Sequence, residues 1–421
     1  MAVAIRISML FARVSSFAAI VVTLSLPLAF VACDSGSTVN GAPSGAAPNG
    51  SDPSGKGADK ANERSTAAAT IALSSCYPDG YALPLKIGDA GPFDVMLDTG
   101  SASLAVASSS CSGCDVEPKF NPEGSAVDQG VQEKAQYVTG EWSGEVYEGE
   151  VSLDARAKAS VKFVGIEEQD NFFIQQTCGS KSGSVQGIIG FGRSFGARRG
   201  TTPFFDRFVA ESKVPDIFAT ELCDDGGTLW LGGYDSTAST APAQYTPLLS
   251  GAFTYYAVRL ASIDVDGTSV PVASNTYPRT ALDTGASVIL LPSAAFTPLT
   301  KAIAANAKFK SLFGEDASWL DNPDGFSCKK LSTTKGELDA TLPPLTLTFG
   351  TGADAITVRA APTESYLASR EGRWCSTLAS FDPSADLPLA AVMGAPLMRS
   401  NIVIFDREKQ RIGFAPHTPC K

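Results

Sequence analysis

Histidine is almost absent from this chain: among 421 residues there is one, His417, four positions from the C-terminus. A Ser-His-Asp or Cys-His site would have to be built on that residue, and imidazole-rich zinc sites are excluded. Basic residues are also in deficit, 33 Lys and Arg against 44 Asp and Glu, for a formal net charge of −11. That argues against nucleic acid as a partner, since phosphate binding needs a basic face that nothing here supplies. Long helical patterns are scarce; Ser293 to Phe309 is the best candidate, with Pro298 near its start. What the chain does have is carboxylate, glycine and short apolar runs. With 39 Gly and 26 Pro interrupting segments rich in Val, Thr and Phe, the expectation is an all-β fold. The length exceeds a single hydrophobic core and fits two domains plus a tail.

The apolar run Phe93 to Leu97 delivers Asp98-Thr99-Gly100-Ser101 at its end. The pattern returns 185 residues later as Thr280-Ala281-Leu282-Asp283-Thr284-Gly285-Ala286-Ser287. One D-T-G is an ordinary turn. Two, each behind apolar residues and half a chain apart, predict two similar lobes that bring one carboxylate each to a common cleft. Paired carboxylates at close range cannot both ionise cheaply, so they share a proton, one serving as base and the other as acid.

Nine cysteines point to an oxidising compartment. Cys33 ends a leader, which leaves eight, enough for four bridges. Cys111-Ser-Gly-Cys114 has the spacing of a metal knuckle or redox pair, but no second such pair exists and the flanking serines favour a small structural disulfide; no metal or other cofactor is expected. Residues 1–32, with Arg6 and Arg13 ahead of the apolar run Phe17 to Ala32, read as an export signal. Pro27 and the abrupt change at Cys33 count against a membrane-spanning anchor. Residues 33–72 are mostly Gly, Ser, Pro, Ala and Asn, a tether too poor in large apolar groups to fold. A coil of that length holds a domain roughly 30 to 40 Å from its anchor. Lys56, Lys60 and Arg64 are too few to blanket an acidic cleft as an inhibitory pro-segment would, so no such segment is expected.

The folded part is expected as a first lobe over 73–242 and a second over 243–421, the boundary lying in the small polar stretch Ser236 to Pro242. Gln136-Tyr137-Val138-Thr139-Gly140-Glu141-Trp142 has a turn between alternating segments and predicts a β-hairpin. Gly187-Ile188-Ile189-Gly190-Phe191-Gly192 sets a buried apolar pair between glycines, where backbone segments pass closely, and Ala391-Val392-Met393-Gly394 is its counterpart. Tyr256 to Gly267 opens the second lobe with a hairpin, and Asn401 to Ala415 ends the chain as strand, turn, strand. Asp224-Asp225 and Asp264-Val-Asp266 read as acidic turns rather than calcium sites.

Together these residues resemble the pepsin-like (family A1) aspartic proteases over about Leu73 to Cys420. The resemblance implies a bilobal, pseudo-twofold β fold with a central cleft, and an aspartic endopeptidase acting on extended peptide or protein substrates. It implies Asp98 and Asp283 as the catalytic pair, supported by Thr99, Gly100, Ser101, Thr284, Gly285 and Ser287, and a flap carrying Tyr137, Thr139 and Gly140. Thr99 and Thr284 would each bond the opposite lobe's main chain. Bridges Cys111–Cys114, Cys328–Cys375 and Cys223–Cys420 follow from it, which leaves Cys76 with Cys178. Both half-sites lie in one chain, so a monomer suffices. Phe30-Val31-Ala32-Cys33 resembles a bacterial lipoprotein box, with Phe30 where leucine usually stands. That implies lipid attachment at Cys33 and a place in the cell envelope.

Two departures from the family pattern have consequences. Ser103-Leu104-Ala105-Val106 lacks the tryptophan common after the first turn, so Tyr137 is expected to be mobile or to pair elsewhere. Ala286 stands where a hydroxyl residue is common, which removes a hydrogen bond to the ionised carboxylate of Asp283. A raised pKa for the pair, an optimum less acidic than a gastric enzyme's, and an acid limb moved downward by Ala286→Thr are the expectations. The rival readings are a pepsin-fold binder or inhibitor module without activity, which usually has one D-T-G damaged, and a two-carboxylate glycosidase, which gives no reason for duplicated turns or a flap.

Overall fold

The computed structural model describes residues 66–78, 80–137, 140–173, 185–251, 253–273, 276–277, 279–381 and 389–418. The expected leader, most of the tether with Cys33, and also Thr139, Cys178 and Cys420 lie outside them. Among the described residues no helix is long and apolar enough to cross a membrane.

Strands dominate, and one strand arrangement occurs twice. In the first half Ala90–Asp98 runs parallel to Gly187–Gly190, which runs antiparallel to Leu104–Ala107, itself parallel to Lys158–Asp170. In the second half Thr280–Asp283 runs parallel to Ala391–Gly394, which runs antiparallel to Ile289–Leu291, itself parallel to Leu378–Ser380. The two lobes are built on one plan. Asp98 faces Gly190 in register and Asp283 faces Gly394. The glycines are required by the crossing: a Cβ at Gly190 would lie 2.5 Å from the main chain of Ala102, and one at Gly394 would lie 2.3 Å from the carbonyl oxygens of Ala286 and Val288.

The halves also share a sheet. The closing hairpin, Ile402–Asp406 with Arg411–Ala415, pairs along Ile217–Leu222 of the first half, and Gln244–Pro247 adds to its other side. Beneath it Phe218 stacks on Phe405 at 4.5 Å and Tyr256 meets Phe405 edge-on at 4.8 Å. The apolar interior is therefore continuous from one half to the other. Each such ring contributes about 1.5–3 kcal/mol by leaving water.

Three details differ from the sequence expectation. The first strand is Ala69–Ser75, paired with Gly226–Leu231, so folded structure begins ahead of Leu73. Ala69, Ile71 and Leu73 point inward at strand spacing, a pattern that the small residues between them disguise as tether. The predicted helix from Ser293 is two helices, Ser293–Ala305 and Ala307–Phe313. Asn306 leaves the helical backbone and its carboxamide oxygen accepts from Lys308 N at 3.0 Å, capping the second. Helices Phe204–Ser212 and Lys335–Thr341 were not expected. The first buries Phe204, Phe205 and Phe208 on one face, and Thr334 with Glu337 forms a capping box on the second.

Candidate active site

Each aspartate stands at the C-terminal end of its strand, where the parallel neighbour stops, so its position is set by two ladders rather than by a loop. The turns that follow are locked together by four buried hydrogen bonds. Thr99 Oγ1 donates to Leu282 O at 3.0 Å and Thr284 Oγ1 donates to Leu97 O at 2.8 Å. Each hydroxyl also accepts the other threonine's N–H at 3.0 Å. Both threonines are fully buried, so every one of these groups would be orphaned if the turns moved apart.

The carboxylates meet across this junction. A Cβ placed on Gly100 would fall 2.4 Å from Asp283 Oδ2, and one on Gly285 would fall 2.7 Å from Asp98 Oδ1. Only glycine at both turns lets each acid lie against the opposite turn. Asp98 is buried at 5% exposure and accepts from Gly100 N at 2.7 Å and from Ser101 Oγ at 2.5 Å. Asp283 accepts from Gly285 N at 2.8 Å. Asp283 is half-buried. Burial first, then the negative charge of Asp98 and a side-chain hydrogen bond with it, hold the Asp283 carboxyl well above the ordinary range, while the N–H groups of Gly285 and Gly100 pull it back. One acid is thus rich in donors and its neighbour is disposed to keep a proton.

Over the pair stands the hairpin Val127–Gln136 with Glu141–Ser152. Tyr137 N donates to Gly140 O at 2.8 Å across its tip. Gly140 is there because a Cβ would lie 2.4 Å from the main chain of Asn171. The hydroxyl of Tyr137 is pushed up to about 12 by burial and by the charge of Asp98, against the nearby polar groups of Ser101 and Trp142 and the charge of Arg198.

A profile of the family described as eukaryotic aspartyl protease matches residues 80–417. The chain belongs to the aspartyl protease family. It is 28% identical over 372 residues to a beta-secretase of Strongylocentrotus purpuratus, covering 80% of this chain and 66% of that protein. It is 26% identical over 332 residues to Pepsin-2B of Gadus morhua, covering 77% of this chain and 91% of that protein. Cathepsin E-B of Xenopus laevis is 25% identical over 338 residues, covering 78% of this chain and 76% of that protein.

Among the residues predicted for an aspartyl protease site, Asp98, Thr99, Gly100, Ser101, Asp283, Thr284 and Gly285 come together, with Tyr137 and Gly140 above them. Ser287 is half-buried just beyond the second turn, and Ala286 leaves Asp283 without a counterpart to the Ser101 hydroxyl. Cys111–Cys114 and Cys328–Cys375 are bonded. Cys76 and Cys223 are also in disulfide form, and their expected partners Cys178 and Cys420 lie outside the described residues.

The indole absent after the first turn has a replacement that sequence reasoning missed. Trp142, five residues beyond Tyr137 on the returning flap strand, is buried with its Nε1 near the Tyr137 hydroxyl but without a close acceptor. The Tyr137 ring lies 5.5 Å from Phe172, which packs on Phe173 at 5.0 Å. Tyr137 is therefore paired elsewhere, as one of the two expectations had it. The available signal was the exact spacing from Tyr137 to Trp142, which puts both on one end of the hairpin.

Proposed function

We propose that this chain is an aspartic endopeptidase that hydrolyses extended peptides, with Asp98 as general base and Asp283 as general acid. Asp98, held by two donors, takes a proton from a water lying between the acids; the water oxygen attacks the peptide carbonyl, and protonated Asp283 gives its proton to the carbonyl oxygen. The tetrahedral intermediate collapses as the amine leaves with a proton returned through the same pair. Thr99 and Thr284 act as positioning residues that keep the acids facing, and Tyr137, Thr139 and Gly140 on the flap cover the substrate. Main-chain hydrogen bonds to an extended peptide and alternating side-chain pockets supply affinity. The observation that carries this reading is the geometry: each carboxylate lies against the opposite turn, Asp98 is bound by two donors, and the turns are joined by a rigid threonine link.

The full chain incubated with a mixed peptide pool should cut it, and a statine-containing peptide, which mimics the tetrahedral state, should inhibit. Asp98→Asn and Asp283→Asn should each lower the rate by about two to four orders of magnitude while the chain still melts in a single cooperative transition. Cleavage surviving either substitution would refute the assignment. The leader ending at Cys33 supports export and attachment of this domain to the cell envelope through a lipid on that cysteine. Growth with a fatty-acid analogue should label the protein, and a Cys33→Ser variant should lose the label.

A further inference from the structure

Residues 193–200, Arg-Ser-Phe-Gly-Ala-Arg-Arg-Gly, carry three arginines in a chain whose net charge is −11. This loop is fastened to the site. Phe191 N donates to Asp98 O at 2.7 Å and Gly192 N to Ser101 O at 2.6 Å, so the loop starts on the first active turn. Its far end returns to the same turn: Arg198 N donates to Ser103 Oγ at 2.8 Å, and Thr201 Oγ1, which donates to Arg198 O at 2.8 Å, also lies 2.8 Å from Ser103 Oγ. A Cβ on Gly200 would touch Val131 at 3.4 Å and Val146 at 4.0 Å, both on the flap strands. The segment Arg198–Gly200 therefore spans the gap between the Asp98 turn and the flap, and the charge of Arg198 is felt at the Tyr137 hydroxyl.

These cations are not spent on the fold. Arg198 and Arg199 are exposed, and neither makes an ion pair among the described residues. Of the acids that follow the loop in sequence, Asp206 pairs with Arg407 and also accepts from Ser194 Oγ within the loop, Asp216 pairs with Arg407, and Glu211 pairs with Arg207. Among the described residues the Arg193 side chain reaches the neutral Gln410, at 3.3 Å. Unpaired guanidiniums whose main chain is fixed between the Asp98 turn and the flap are placed to meet a carboxylate on a peptide held there.

We propose that Arg198, with Arg199 beside it, selects substrates bearing an acidic side chain within three residues of the scissile bond. This rests on the endopeptidase reading above and adds the substrate class to it. Matched fluorogenic peptides, identical except for Glu or Gln at each position from the third before to the third after the cut, test it on the full chain. At one or more positions the Glu peptide should be cut with kcat/KM roughly three- to tenfold above its Gln twin. The advantage should sit mainly in KM, shrink at high salt, and fade below about pH 4.3, where Glu is protonated. In Arg198→Gln/Arg199→Gln the Glu-to-Gln ratio should fall to near unity, whereas Arg156→Gln, at the opposite end of the flap hairpin, should leave the ratio intact. A ratio of one at every position in the parent chain, or a preference that survives in the double variant, overturns the inference while leaving the peptidase reading standing. If no peptide is cut, the peptidase reading falls, and binding anisotropy on the same pairs decides the charge preference by the same ratio.

Discussion

Ala286→Thr is the most direct perturbation of the proton shared by the two acids. Asp98 has a hydroxyl donor three residues along, Ser101 Oγ at 2.5 Å, whereas Asp283 has only alanine at the equivalent place. A threonine hydroxyl there would donate to the Asp283 carboxylate and so favour its ionised form, opposing the burial and the Asp98 charge that hold it up. A hydrogen bond to a charged acceptor is worth about 1.5–3 kcal/mol. Part of that replaces an existing water contact, and 1.36 kcal/mol is one pKa unit, so a fall of roughly one unit is expected. Because Asp283 works in its protonated form, activity is present below its pKa and lost above it. The limb of the kcat/KM profile that moves is then the alkaline one, downward by about one unit, with the acidic limb nearly fixed. Taking Asp283 as the ionised partner, as the sequence alone suggests, moves the acidic limb instead, so the limb that shifts tells the two assignments apart. An alkaline limb that stays in place or moves upward in a stopped assay across pH 3 to 8 would refute the reasoning.

Stability should fall as pH rises from about 4, because Asp283, Asp216, Glu221 and Glu364 are all raised, burial being the first cause in each. The folded chain keeps these protons to higher pH than the unfolded one, so the stabilisation is complete below the unfolded pKa values and lost through the folded ones; melting curves should show it, and Asp283→Asn should flatten part of the slope. Thr284→Val removes the donor to Leu97 O and strands the buried Thr99 N–H, a cost of about 1–3 kcal/mol for each orphaned group. Thermal melting should register that loss, and kcat should fall more than KM rises. Phe405→Ala opens a cavity against Phe218 and Tyr256, which should cost about 3–5 kcal/mol in urea unfolding and lower the midpoint of the whole molecule in one transition.

The aspartate turns were legible because their chemistry is local: an apolar strand, an acid, a hydroxyl and a glycine in succession. The closing hairpin and the Gly-Ile-Ile-Gly crossing were legible for the same reason. What escaped depends on contacts between distant segments. Trp142 is an ordinary strand residue until the hairpin folds it beside Tyr137. Arg198 reads as a solvated charge until Ser103 pins its backbone near the flap. The helix Phe204–Ser212 opens with Phe204-Phe205 after Pro203, which looks like a strand, and it becomes helical because those two rings pack against Phe191 and Phe218, with Phe208 packed on them one turn later. The split at Asn306 turned on a single cap, which helical periodicity does not register.

The sheet that both halves share sets a rule for how the molecule must be made. Until residues 402–415 leave the ribosome, Ile217–Leu222 has a partner on one side only, Gly226–Leu231, and its other edge is a bare row of peptide groups. A chain stopped anywhere in the second half would carry that sticky border into solution, open to pairing with copies of itself. That edge is therefore closed only once residues 402–415 have been made, and neither half should be expressible alone in soluble form.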